Sequence, residues 1–173
     1  SEPFVIRNQY NGTIPLGLLR TVVPAAPDAW ITVLKNYGTM SFGEVASSAI
    51  KYAREGITVH PTMSKFLSRY QENYRMWPSN SNIWQKNGRP LEVGDLLIQT
   101  DLAASIQFMA DQEAAAMKDG REKGLQAARD AFYVGDIASK IVKYHKEKGG
   151  LMTADDMASY RTPIEKPLSI NFR

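Results

Sequence analysis

The sequence has no cysteine and only two histidines, His60 and His145, in 173 residues. Without thiols, disulfide frameworks, thiolate zinc sites, cysteine nucleophiles and iron–sulfur clusters are excluded. Two histidines leave no ligand set for a multi-histidine metal centre, and no cofactor is expected. No apolar run approaches the roughly 18 residues of a membrane-spanning helix. There is no P-loop and no G-x-G-x-x-G. The segment Gly120-Arg121-Glu122-Lys123-Gly124 lacks both the spacing and the preceding strand of a phosphate cradle. An excess of one charge is missing too: 21 Lys and Arg stand against 18 Asp and Glu, a net +3. The two signs interleave, as in Lys146-Glu147-Lys148, whereas a nucleic-acid binder gathers its basic residues into a stripe. The charges therefore read as a solvated surface, with neither nucleic acid nor membrane as a partner. No apolar leader segment follows Ser1, which leaves a mature chain, a cytoplasmic one or a fragment. Cytoplasm and periplasm both fit the absence of cysteine.

What remains is an ordinary globular balance, 43% hydrophobic and 23% charged. A single domain of this length buries roughly 70% of its unfolded surface, enough for one core. Phe4 to Arg7 reads as extended, Asn11-Gly12 with Pro15 as a turn, and Leu18 to Val23 as a short strand closed by Pro24. After Pro27-Asp28, the period of Ala26, Trp30, Val33, Leu34 and Tyr37 is that of a helix. Gly38 stands where a left-handed cap would end it. Ser41-Phe42-Gly43-Glu44 fits a capping box, opening a helix with Val45, Ala46, Ala49, Ile50 and Ala53 on its apolar face and Gly56 at its end. Ile57 to Val59 is extended. A third helix after His60-Pro61 places Met63, Phe66, Leu67, Tyr70 and Tyr74 on one side.

Met76 to Gln99, rich in Asn, Ser, Pro and Gly, reads as a long loop pinned by Trp77 and Trp84. A fourth helix starts near Asp101, facing Leu102, Ala103, Ile106, Met109 and Ala110 inward and running to Lys118. Gly120 and Gly124 interrupt the charged stretch that follows. A fifth helix from Gly135-Asp136 buries Ile137, Ala138, Ile141, Val142 and part of His145, and Gly149-Gly150 ends it. Thr153 caps a short helix to Tyr160, and Leu168, Ile170 and Phe172 alternate as in a half-buried strand. The fold class is thus mainly α with a few short strands. No repeat or linker divides the chain, so residues 1–173 are expected to form a single segment.

A search for catalytic groups yields little. Asp155-Asp156 are adjacent on a helix and point apart; they suit a helix N-terminus. His60 at a strand-to-helix joint and His145 late in a helix have no Ser or Asp partner by spacing. Trp30, Tyr70, Tyr74, Trp77 and Trp84 could form a stacking platform, but packing accounts for them. Ser1 could act as a nucleophile with its own amine as base. No catalytic, substrate-binding or metal-ligating residue is assigned.

Five blocks in order resemble the middle of the large subunit of the gamma-glutamyltranspeptidase family. They are Val23-Pro24 followed by Trp30; Tyr37-Gly38-Thr39-Met40-Ser41-Phe42-Gly43-Glu44-Val45 with Ala49-Ile50, Ala53, Gly56 and Val59; Gly88-Arg89-Pro90 with Gly94-Asp95 and Gln99-Thr100-Asp101-Leu102-Ala103; Ala131 to Ala138; and Gly149 to Met157 with Tyr160 and Pro167. Val23-Pro24-Ala25-Ala26-Pro27 stands where the family has Val-Pro-Gly, and Gln112 to Asp130 is longer than the family spacing. These departures mark a divergent member.

The resemblance implies a helical lobe of an αββα N-terminal-nucleophile hydrolase sandwich, with the last strand edging toward the sandwich. In such enzymes the precursor cuts itself, and the new N-terminal Thr of the small subunit attacks an amide, with its own amine as base. That Thr would lie beyond Arg173, and the family's substrate-carboxylate Arg before Ser1; neither maps onto this sequence. The family pattern also places Ser1 far from the nucleophile. The expected partners are the small subunit, the remaining large-subunit segments and a small amide or gamma-glutamyl substrate. Relatives with that architecture act in glutathione metabolism, cephalosporin acylation chemistry and capsule depolymerisation. The competing expectation is an autonomous helical module that binds a peptide or sugar in a groove lined by Trp77 and Trp84.

Overall fold

Fifteen described elements follow one another along the chain, and most are helices. The computed structural model describes residues 13–172, so Ser1, the Phe4–Arg7 segment and the Asn11-Gly12 turn lie outside the described residues. A 3-10 turn at Leu18–Arg20 precedes α1 (Ala26–Tyr37) and α2 (Phe42–Glu55). Next come β1 (Ile57–Thr58), α3 (Pro61–Arg69), α4 (Gln71–Arg75), α5 (Pro78–Trp84), β2 (Gln85–Lys86), β3 (Arg89–Pro90) and β4 (Leu96–Leu97). The rest is α6 (Thr100–Ala116), a 3-10 turn at Met117–Asp119, α7 (Arg121–Tyr133), α8 (Asp136–Lys148) and α9 (Ala154–Ser159). No described helix is long and apolar enough to cross a membrane.

The chain forms two compact units. One comprises residues up to Met40 together with those from Gln112 onward; the other is Ser41–Asp111. Neither boundary has linker composition. The first falls at the Ser41 cap and the second within α6.

In the Ser41–Asp111 unit, the Ser41 hydroxyl accepts from the Glu44 amide at 3.1 Å and the Glu44 carboxylate accepts from the Ser41 amide at 2.8 Å. This is the expected capping box, and it holds the Glu44 carboxyl below its ordinary value through the Ser41 backbone bond first and the hydroxyl second. The buried side of α2 is Phe42, Ala46 and Ile50; Val45 and Ala49 face out. Antiparallel β1 and β4 pair Ile57 with Leu97 and Thr58 with Leu96. Val59, Leu67, Leu91 and Leu97 form the core, with Met63, Tyr74 and Trp84 packed on it. Phe66 and Tyr70 do not join that core; their rings stack on each other at 6.1 Å on the exposed side of α3.

Residues 76–99 are not the loop that their composition suggests. Pro78 at the first position starts α5, where its missing N–H costs nothing. Antiparallel β2 and β3 then close on Asn87-Gly88, whose φ values of 53° and 77° fit the two-residue hairpin turn that Asn-Gly favours.

The other unit is built on α1, α7, α8 and α9. Leu18–Arg20 is a 3-10 turn rather than the expected strand. The buried side of α1 is Pro27, Asp28, Ile31 and Leu34, which leaves Trp30, Val33 and Tyr37 of the expected face exposed. Gly38 ends α1 in an extended conformation, not a left-handed one. The Arg121 guanidinium closes this helix instead, donating to the carbonyls of Leu34 at 2.7 Å and Met40 at 3.0 Å. Gly124 does not interrupt a helix; it lies buried inside α7, where an added Cβ would sit 3.2 Å from Glu113. The core of this unit joins Tyr133, Ala138 and Met157, flanked by Phe132, Ile141, Val142, Met152 and Tyr160. After Tyr160 no helix or strand forms among the described residues, and Leu168, Ile170 and Phe172 are exposed, at 103%, 84% and 94%. Among the described residues the alternating pattern pairs with no strand.

Candidate functional site

The sequence-level candidates do not converge. The Nδ1 atom of His60 accepts from the Met63 amide at 3.4 Å and caps α3. His145 is buried at the end of α8, where Nδ1 accepts from the Met152 amide at 3.4 Å. Asp156 caps α9 through a reciprocal pair with Thr153, at 2.9 Å to the backbone amide and 2.7 Å to the hydroxyl. The Thr153 side chain first and its amide second hold the Asp156 carboxyl below its ordinary value. Asp155 is exposed beside it. Tyr74 and Trp84 pack ring to ring at 6.0 Å, and Trp77 is a half-buried residue preceding α5. Trp30 and Tyr70 are exposed. The five aromatics thus form no single platform, since Trp84 and Tyr74 are committed to the core.

Open grooves among the described residues include two of about 310 Å³ each. One, in the Ser41–Asp111 unit, is lined by Ser47, Lys51, Arg54, Glu55 and Gln107; its Lys51–Glu55 pair spans 3.9 Å and is solvated. The other is largely apolar, between Leu18 to Val23 and Leu151-Met152. Among the described residues no group of three His, Asp or Glu could hold a metal ion.

The most elaborate polar arrangement is one that sequence reasoning did not single out. Asp28 and Arg129 form an ion pair at 2% and 4% exposure. Arg129 Nε donates to Asp28 Oδ1, and Arg129 Nη2 donates to the Tyr160 carbonyl at 2.5 Å. The second carboxylate oxygen of Asp28 accepts from the Thr162 amide at 2.7 Å. The Asp28 amide in turn donates to the Tyr133 hydroxyl at 3.0 Å, and that hydroxyl donates to the Pro24 carbonyl at 2.5 Å. The Arg129 guanidinium lies 4.7 Å above the Tyr133 ring, which stacks on Tyr160 at 6.0 Å.

Burial alone pushes the Asp28 carboxyl up, but the hydrogen bonds from Thr162, and then those from Arg129, outweigh it and leave it below its ordinary value. Burial pushes the Tyr133 hydroxyl up to about 12. Such a cluster ties backbone to side chain. One signal in the sequence marks Arg129, though not its partner. Arg129 stands four residues after the fully buried Leu125 and one after Ala128, so it lies on the apolar face of its helix, and a cation there needs a carboxylate.

Because the Tyr133 pKa is raised on folding from 10.0 to about 12, the neutral hydroxyl's contribution is fully present below pH 10 and is lost as pH rises through 12. Alkaline unfolding should therefore steepen in that window by up to about 1.4 kcal/mol per pH unit. Urea titrations at pH 9 to 12 of the native chain and Tyr133→Phe check this; the variant should lack the added slope.

The blocks that carry the family resemblance fall on these structural devices. Tyr37 to Val45 covers the end of α1 and the Ser41 cap. Gly88-Arg89-Pro90 is the hairpin. Tyr133 and Tyr160 belong to the ion-pair cluster, and Gly149-Gly150 ends α8. Comparison with known proteins agrees. The family model for gamma-glutamyltranspeptidase matches residues 2–173. A glutathione hydrolase-like YwrD proenzyme of Bacillus subtilis is 32% identical over 98% of this chain and 30% of its own length. The glutathione hydrolase proenzyme of Escherichia coli is 31% identical over 90% of this chain and 24% of its own. Among solved structures, a cephalosporin acylase from Bacillus halodurans superposes with a TM-score of 0.80 at 26% identity, covering all of this chain and 31% of that one. The sequence thus spans less than a third of the length of these relatives, and it belongs to the gamma-glutamyltranspeptidase family.

Proposed function

We propose that residues 1–173 are one segment of the large subunit of a gamma-glutamyltranspeptidase-like amidohydrolase or acyltransferase. In this reading the segment is a structural helical lobe of an αββα sandwich and holds no complete active site. The nucleophile is an N-terminal Thr on a small subunit released by self-cleavage of a longer precursor. Its hydroxyl attacks the substrate carbonyl, its α-amine takes the proton, and backbone N–H groups stabilise the oxyanion. The amine or amide portion leaves, and the acyl group passes to water or to an acceptor amine. The partners are that small subunit and the other large-subunit segments, and the substrate is a small amide or gamma-glutamyl compound. Relatives whose names specify glutathione and cephalosporin support the amide bond as the shared target.

The observation that carries the reading is where the family blocks fall. They supply caps, a hairpin turn and, through Pro24, Tyr133 and Tyr160, the contacts around the buried Asp28–Arg129 pair, using polar groups to hold backbone.

The test expresses the 173 residues alone and as part of their uninterrupted reading frame. Both are assayed on a gamma-glutamyl anilide, a cephalosporin side-chain amide and a simple amide. The longer product should cut itself and turn over at least one substrate, while the segment alone turns over none. Turnover by the segment alone that disappears in Ser1→Ala would overturn the proposal.

A further inference from the structure

The Asp28–Arg129 pair is placed where it can do more than hold a helix pair together. Besides the 3.5 Å contact of Arg129 Nη1 with the Asp130 carboxylate, the pair reaches backbone of one short stretch: the Tyr160 carbonyl receives Arg129 Nη2 and the Thr162 amide is held by Asp28 Oδ2. These are the last described tertiary hydrogen bonds along the chain. Beyond them the backbone runs to Phe172 without helix or strand, with Leu168, Ile170 and Phe172 exposed on alternate positions. An alternating segment of this kind shifts every side chain to the wrong face if it slips by one residue. Its register is set by where its first residue is fixed, and here that point is Thr162.

A buried ion pair is also a poor source of stability, because desolvation offsets most of the attraction and apolar replacements often do as well. Its best-attested use is to fix one arrangement among several. We propose that Asp28 and Arg129 are positioning residues. They pin the chain at Tyr160–Thr162 and so set the register in which residues 163–172 enter the remainder of the enzyme. Self-cleavage and turnover then depend on the pin, because both need the reacting groups aligned. This rests on the reading of the chain as part of a self-processing precursor.

The experiment uses the whole precursor and separates stability from alignment. The double variant Asp28→Leu/Arg129→Met removes both charges and fills the space with apolar side chains. The backbone groups it releases, at Tyr160 and Thr162, are only half-buried and can turn to water. Its Tm should stay within a few degrees of the native value, whereas self-cleavage slows and kcat falls with KM little changed. A loss of roughly 10- to 100-fold corresponds to a misplacement of about 1 Å. Amide hydrogen exchange followed on the same samples should show faster exchange at Thr162.

If the double variant cleaves itself and turns over at native rates, the pin is overturned while the family reading stands. A native precursor that neither cuts itself nor turns over overturns both. Should the double variant fail to fold, Arg129→Lys replaces it. Lysine keeps the charge beside Asp28 but cannot reach the Tyr160 carbonyl with a second donor. Native rates in Arg129→Lys, with exchange at Thr162 unchanged, overturn the proposal as well.

Discussion

Arg129→Met alone should lower the unfolding free energy by about 3–5 kcal/mol, the usual consequence of stranding one charge of a buried pair. That is a large share of the roughly 5–15 kcal/mol available to a domain. Asp28 would remain at 2% exposure with the Thr162 amide as a donor but without its cation. Burial is the largest influence on its carboxyl and acts upward, opposed first by Thr162 and then by Arg129, so removing Arg129 moves the carboxyl upward. The Tyr160 carbonyl loses its donor and the Tyr133 ring its overlying guanidinium.

The sign of the pH dependence follows. In the native chain the Asp28 carboxyl is lowered on folding, so its contribution is present above the ordinary value of 3.8 and is lost as pH falls through the lower folded value. In Arg129→Met the Arg129 part of this stabilisation is already gone while the Thr162 part remains, and the gap between variant and native chain should narrow in acid. Urea unfolding at pH 7 and below pH 3.8 measures both the size and the narrowing. A gap that is constant across that range would show that the carboxylate charge is not the source of the loss.

Gly150→Ala is expected to cost toward the upper end of the roughly 1–3 kcal/mol typical of overpacking. A Cβ at this position would stand 2.2 Å from Nδ1 and 2.8 Å from Cγ of His145. The ring has nowhere to go: His145 is 4% exposed, Nδ1 accepts from Met152, and its own carbonyl accepts from the Gly150 amide at 2.7 Å. The neighbouring Gly149 supplies the contrast. It occupies the left-handed region at φ 75° with open space around it. Gly149→Ala should therefore cost only the roughly 1–2 kcal/mol of a left-handed L-residue. Thermal unfolding of both variants tests the order. A cycle with His145→Ala tests the cause, since the clash should vanish when the ring is gone; an additive double variant would place the cost elsewhere.

Features encoded within a few residues were legible in the sequence. Ser41-x-x-Glu44 and Thr153-x-x-Asp156 cap helices as their spacing requires, because both partners of each bond lie within one turn. The helical character and the family were readable for the same reason. The faces of the helices were less so. In α1 the apolar period ran through Trp30 and Val33, yet the buried side is Pro27, Asp28, Ile31 and Leu34, since a buried carboxylate does not register as apolar. Leu18–Arg20 and residues 76–99 misled in opposite directions. A short apolar run with no partner strand among the described residues does not hold an extended form, and a proline-led polar stretch can still make a helix turn. The Asp28–Arg129 cluster joins residues 101 apart, and no local pattern reports a bond of that span.

The order of the two units along the chain bears on how the molecule folds. The Ser41–Asp111 unit is continuous, while the other is assembled from both sides of it. Asp28 can meet Arg129, and Pro24 can meet Tyr133, only after intervening loops spanning 101 and 109 residues have been closed. That closure costs about 4 kcal/mol of chain entropy if the loop is slack. A Ser41–Asp111 unit that has already condensed shortens the effective loop. The continuous unit is thus placed to fold first, as the chain emerges, and the ion pair is among the last contacts to form.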